Sequence, residues 1–188
     1  INPAMISDHA SFSWGEINGN TVHVGDLLPI AFNEQSLQLM ADNINRVQDK
    51  LSRILKIENL SAYLKPKGSS MTECEFLVRL TQLTDCELLV DLNNLVVNAH
   101  NFSDKDPFEY GRDWLSCIPH NRIGELHLAG FSPVKKNQWA IDDHSQPVCD
   151  TVWKLYEYAL TNFVAVPTLI EWDNQLPNWQ TLLKEVDK

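Results

Sequence analysis

Seven residues of this chain stand out by type and position as potential metal ligands: His9, Glu58, Asp91, His127, Asp142, His144 and Glu171. Imidazole and carboxylate donors with no thiolate among them suit zinc, iron or manganese rather than an iron–sulfur cluster. Seven donors exceed what one ion takes, so two or three ions are expected. Asp142 and His144 form an Asp-x-His pair, and in an extended segment residues two apart face the same way, so both could reach one ion. Each residue also has an ordinary reading. His9 could be a satisfied histidine at a strand end, and Glu58 could pair with Lys56, two residues back on the same face. His127 could be a buried hydrogen-bonding group and Asp142 a turn residue. Their positions along the chain weigh against so many separate explanations.

Most of these donors end or interrupt a short apolar run. "AMISDH" (4–9) closes on Asp8 and His9, and "ILKIENL" (54–60) contains Glu58 and Asn59. "ELLVDL" (87–92) delivers Asp91, with Asn93, Asn94 and His100 close behind. "IGELHLAG" (123–130) holds Glu125 and His127, and "PTLIEWD" (167–173) holds Glu171 and Asp173. Helical patterns follow these runs. Leu37, Met40, Ile44, Val47 and Leu51 recur at helical spacing over 34–53. In "SSMTECEFLVRLTQL" the S-x-x-E pair Ser70 and Glu73 reads as a capping box. Further helices are expected at 106–118, 150–163 and 177–186. Asn98 and Asn101, around His100, read as loop formers.

Strand-then-helix alternation of this kind implies a parallel sheet with covering helices, doubly wound or closed into a barrel. In either arrangement the C-terminal strand ends face a common site. Asn18-Gly19 in "GEINGNTVHVG" marks a hairpin turn. His23 beyond that turn is expected to be exposed, and His120 to sit in a loop before a strand. Trp153 falls on a helical core face, and Trp172 should point away from its neighbour Glu171.

Composition narrows the classes of function. The chain has 188 residues, 44% hydrophobic and 21% charged, with a formal net charge of −10. An acidic chain without a basic stripe argues against a nucleic-acid partner. No window approaches the roughly 20 apolar residues of a membrane span. The four cysteines, Cys74, Cys86, Cys117 and Cys149, lack C-x-x-C spacing. They read as core or helix residues in a reducing, cytoplasmic compartment. No P-loop, G-x-G-x-x-G or G-x-S-x-G segment occurs.

Taken in order, "ISDHASFS", "IENLSAYL" with "MTECEFL", "LLVDLNNLVVNAHN", "IGELHLAG", "IDDHSQPV" with "DTVWKLYE", and "PTLIEWDNQLP" resemble the multinuclear non-heme iron-dependent oxidative enzymes. That family was long known as a domain of unknown function and includes methanobactin-type peptide-modifying oxidases. The resemblance runs from about residue 3 to 186. It implies a TIM-type (β/α)8 barrel, distantly similar to xylose isomerase, of which residues 1–188 would be the C-terminal portion, about the last five βα units. It also implies two or three irons at the barrel mouth, with zinc or manganese as alternative metals, and O2 as oxidant. The implied substrate is a ribosomally made precursor peptide, modified at cysteine and commonly presented by a separate partner protein.

Carried over residue by residue, the resemblance makes His9, Glu58, Asp91, His127, Asp142, His144 and Glu171 the metal ligands. Asn94 and His100, which matches the family's "NAHN" histidine, rank behind them. Glu58, Asp91 and His127 would be the catalytic residues, with Glu58 as a bridging carboxylate. Glu125 and Asp173 would hold the ligand histidines in their tautomers. The sequence departs from the family in two places. It begins at Ile1 rather than Met, without about three barrel strands and a further histidine segment. It also has Phe131 where histidine often follows "HLAG". An open arc of strands would be completed by more of the same protein or by a second copy in a homo-oligomer. The competing readings are a divalent-metal hydrolase or isomerase of the related barrels and a non-catalytic remnant.

Overall fold

The apolar runs become β1 (Ser7–His9), β2 (Ser11–Ile17), β3 (Asn20–Pro29), β4 (Lys56–Glu58), β5 (Glu87–Asp91), β6 (Ile123–Leu128) and β7 (Thr168–Ile170). Between them lie α1 (Glu34–Leu51), α2 (Glu73–Thr84), α3 (Leu92–Phe102), α4 (Pro107–Cys117), α5 (Asp150–Asn162) and α6 (Trp179–Val186). The computed structural model describes residues 2–135, 138–163 and 165–188. Five strands form one parallel sheet in the order β1-β4-β5-β6-β7, while β2 and β3 form a separate hairpin. This is the expected α/β class, with the five strands read from the five apolar runs now in one sheet. No helix among the described residues is long and apolar enough to cross a membrane. The chain divides into two compact units, residues 1–88 and 89–188.

In the first unit β1 lies parallel to β4, with His9 in register with Glu58. The hairpin turns at Asn18 and Gly19, both with positive φ (52° and 77°), the conformation that Asn-Gly favours in a two-residue turn. Asn33 caps α1 by accepting the Ser36 N–H, and Leu37, Ala41 and Ile44 form its buried stripe. The capping box of α2 differs from the expectation. Thr72 and Glu75 form it, two residues beyond Ser70 and Glu73. Both pairs fit the sequence pattern, but the Ser70 N–H is bonded to the Phe32 carbonyl and Glu73 is already the first helical residue.

In the second unit the chain leaves β5 directly into α3, so Asn98 and Asn101 are helical rather than loop residues. Two physical causes produce this. Asp91 is an N-cap whose carboxylate accepts the Asn94 N–H at 2.8 Å. Leu92, Leu95, Val96 and Ala99 then follow at i, i+3, i+4 and i+7, and all are buried. Full burial of each larger one contributes about 1.5–3 kcal/mol, enough to override the weak helix preference of asparagine. Asn101 is also tied down, exchanging hydrogen bonds with both the N–H and the carbonyl of Ala140.

Two glycines in this unit permit close packing. A Cβ on Gly130 would lie 2.0 Å from the Pro147 carbonyl oxygen, so the "HLAG" glycine lets the backbone after β6 meet the segment before α5. A Cβ on Gly111 in α4 would collide with Leu155 of α5. Along the other edge β6 and β7 are parallel, with His127 opposite Leu169. The Glu171 N–H extends that ladder to the Leu128 carbonyl at 2.8 Å. Trp153 and Trp172 are half-buried, with their indole nitrogens out of solvent. Cys74 and Cys86 are buried, Cys117 ends α4 and Cys149 precedes α5.

Candidate metal centre

Asp91 has two structural roles. It ends β5 and caps α3, which fixes one carboxylate oxygen on the Asn94 N–H. The other oxygen lies 3.9 Å from His144 Nε2. The side chain is fully buried. Burial, and then the negative charge of Asp142, push its pKa up to about 7, against the pull of His144, the Asn94 N–H and His127. A carboxyl raised this far has a strong electrostatic demand for a cation.

His144 stands among four carboxylates. Its Nε2 is 2.8 Å from Asp142 Oδ1, while its Nδ1 is 3.1 Å from Asp173 Oδ2 and 3.5 Å from Glu171 Oε2. Burial disfavours the charged ring, but Asp142 first, then Asp91 and Glu171, outweigh it and raise the pKa to about 10. The Nε2 contact with Asp142 is short yet poorly directed for a hydrogen bond. The extended Asp-x-His arrangement expected from sequence is replaced by a left-handed bend at His144 (φ 42°), which turns the ring onto its neighbour.

His127 and Glu125 lie two apart on β6 and share a face. The ring is held between Glu125 Oε1 at 3.6 Å from Nε2 and Glu171 Oε2 at 3.1 Å from Nδ1. Glu171 therefore reaches both histidines. Donor atoms of Asp91, His144 and Glu171 all lie within 4.8 Å of one another. Ligands at the roughly 2.0–2.2 Å of nitrogen and oxygen donors surround an ion at mutual distances of about 3–4 Å, so small side-chain movements would close this set. The residues present fit a divalent cation.

In the first unit, His9 Nε2 is 3.3 Å from Glu58 Oε2, with the histidine partly exposed and the carboxylate buried. Lys56 reaches Glu87 at 2.6 Å, which removes the expectation that it occupies Glu58. His9 also borders an apolar cavity of about 510 Å³ lined by Phe12, Trp14, Leu27 and residues of α1.

Asn94 is buried and contributes its backbone N–H to Asp91. His100 lies at the far end of α3, nine residues and therefore about 13 Å along the helix from Asp91. Its ring packs edge-on against Phe131, with centroids 5.8 Å apart, and partial burial lowers its pKa. The structure thus associates His100 with Phe131 and separates it from Asp91.

Sequence reasoning named Asn93 without giving it a role and overlooked Asp143. Fully buried Asn93 donates from Nδ2 to Asp142 Oδ1 at 2.7 Å and so orients that carboxylate. Asp143 accepts hydrogen bonds from the N–H and Oγ of Ser132. Burial raises the Asp143 pKa, but the Ser132 bonds prevail and hold it below the ordinary value. A second polar residue beside each candidate ligand, in "DLNN" and "IDDHS", was the available signal.

A UPF0276 protein of Acaryochloris marina is 42% identical over 188 residues, covering 100% of this chain and 64% of its own length. One from Vibrio parahaemolyticus is 41% identical over 193 residues, with coverages of 100% and 63%. The chain therefore spans less than two thirds of the curated relatives it matches. Among solved structures, the crystal structure of apo 3-keto-D-glucoside 4-epimerase, YcjR, from E. coli matches with a TM-score of 0.48 and 12% identity. That match covers 97% of this chain and 62% of the other. The family model described as RiPP precursor modification enzyme MbnB/TglH/ChrH matches residues 1–188, and the chain belongs to that family.

Proposed function

We propose that this chain is the metal-bearing, C-terminal barrel portion of an iron-dependent oxidase that uses O2 to modify a ribosomally made precursor peptide at cysteine. The observation that carries the reading is the Asp91–His144–Glu171 set, built on the fully buried Asp91, whose donor atoms are close enough to share an ion. Iron would supply the redox chemistry that O2 requires and a Lewis-acidic hold on a thiolate.

The chain's own residues prepare that site. Asp91, anchored by the α3 cap, offers its second oxygen, and Asp142, held by Asn93, offers another. Asp173 accepts the His144 Nδ1 proton, which leaves Nε2 as the donor nitrogen on the Asp142 and Asp91 side. Glu125 and Glu171 orient His127 in the same way, and Glu171 stands ready for either histidine. Glu58 and His9 are further ligands in this reading, with Glu58 as the bridging carboxylate. The substrate class follows from the family, and a partner protein that presents the peptide belongs to the same proposal. A reducing, cytoplasmic compartment suits a thiol substrate.

Anaerobic purification followed by metal analysis and EPR tests the reading. Iron at two or more equivalents, with iron-dependent O2 uptake in the presence of a cysteine-containing peptide, is the expected result. Zinc alone, with no iron-dependent O2 consumption, would overturn it.

A further inference from the structure

The non-glycine residues with positive φ among the described residues have different causes. Asn18 forms the hairpin turn, and Ser52 and Asp85 end helices α1 and α2. His144 and Gln175 neither turn a hairpin nor cap a helix, yet their φ values are 42° and 51°. A side chain in this region persists only where its surroundings over-determine the backbone.

The surroundings of His144 do so from both sides. The carbonyl before its φ torsion, that of Asp143, accepts the Asn174 Nδ2–H at 2.6 Å. Its own carbonyl accepts the N–H of Asp173 at 3.0 Å and that of Asn174 at 3.3 Å. The Asp143 carboxylate is in turn fixed by the Ser132 N–H at 2.9 Å and by the Ser132 hydroxyl, which also lies 3.1 Å from Ser145 Oγ. Both peptide planes that flank His144 are therefore pinned, by the Asn174 side chain on one side and by the Asp173 and Asn174 N–H groups on the other; of these residues Asp173 also faces the ring through its carboxylate.

We propose that Asn174, acting with the Ser132–Asp143 pair, is a positioning residue that holds the left-handed bend at His144 and thereby sets which carboxylates its two ring nitrogens face. In the usual right-handed or extended conformations the Cβ direction changes, and the ring could not keep Nε2 on Asp142 while Nδ1 stays on Asp173. Asn174 is exposed and its side chain bonds backbone, so removing it leaves the core intact.

The consequence for metal binding rests on the reading given under Proposed function, while the bend itself is testable without any metal. In the full chain, ¹H–¹⁵N spectra of the apo-protein imidazoles at fixed pH should show the His144 nitrogens shifted in Asn174→Ala, with a melting temperature within a few degrees of wild type. Cobalt(II), followed by its visible absorption, should bind about 10-fold more weakly, the size of effect typical of groups that orient ligands. Asn174→Asp, which keeps the shape but loses the donor, should behave like Asn174→Ala, and Asn174→Gln should restore part of the loss. Ser132→Ala, which removes one of the two bonds to Asp143, should shift the same signals less. Unchanged His144 signals in Asn174→Ala and Ser132→Ala would overturn the proposal, whatever happens to stability. If the wild-type protein takes up no cobalt, the metal reading fails, and the imidazole signals still decide whether Asn174 sets the bend.

Discussion

Two histidines, one at the end of β1 and one in the segment between β6 and α5, meet carboxylates in this molecule under very different conditions. His9, in the first unit, is partly exposed and pairs with Glu58 across two adjacent parallel strands. His144, in the second unit, is buried, stands among Asp142, Asp91, Glu171 and Asp173, and occupies a backbone conformation that the chain pins from both sides. Regular strand register is sufficient to create the first pair. The second needs a cap, a bend and two loops, and it concentrates negative charge that a cation would relieve. The difference separates a site assembled by regular secondary structure from one assembled by irregular backbone, where preorganisation has to be built residue by residue.

The largest expected effect comes from removing the residue that joins regular to irregular structure. Asp91→Ala should lose metal from the second-unit site by more than 100-fold, beyond the 10–100-fold typical of supporting groups. It should also destabilise the protein by about 0.5–2 kcal/mol through loss of the α3 cap. Asp91→Asn should keep most of the cap and still lose the metal. Metal titration and thermal unfolding of the two variants separate these roles.

A pH series should give an intermediate effect. Asp91 has a folded-state pKa near 7, above its ordinary 3.8, so the apo protein loses stability as pH rises from about 4 to 7. His144, raised from 6.5 to about 10, contributes stability that is complete below 6.5 and is lost as pH climbs towards 10. Metal competes with protons at both groups, so the gain in melting temperature on adding metal should grow steadily between pH 6 and 8. A gain independent of pH would mean that neither group is a ligand.

The smallest effect is expected at the partly exposed His9. His9→Ala should weaken metal binding by about 10-fold or less and change the melting temperature by under two degrees, as for surface changes within about 0.5 kcal/mol. A loss as large as that of Asp91→Ala would erase the contrast between the two histidines.

The parts of this arrangement that were legible in the sequence are those governed by short-range periodicity. The alternating runs, the Asn18-Gly19 turn and the carboxylate or imidazole ending several runs could all be read directly. The α3 helix was missed because asparagines at 98 and 101 resemble a loop, while the apolar spacing of Leu92, Leu95, Val96 and Ala99 wins once it is buried. The α2 cap was displaced by two residues because two overlapping patterns satisfied the same rule. Asn93 on Asp142 joins residues 49 apart, and Asn174 on Asp143 joins residues 31 apart. No periodicity encodes contacts of that span, so their partners could not be named from the sequence.

The shared duty of Asp91 reaches into the dynamics of the chain. The Asn94 amide proton is held by the carboxylate whose other oxygen faces His144. Any ion that draws on that carboxylate alters the strength of this one amide bond, two residues into a helix and without touching its other ladder bonds. Deuterium uptake at the start of α3 therefore serves as a built-in gauge of occupancy, readable in the unmodified protein, on a clock set by local opening rather than by chemistry.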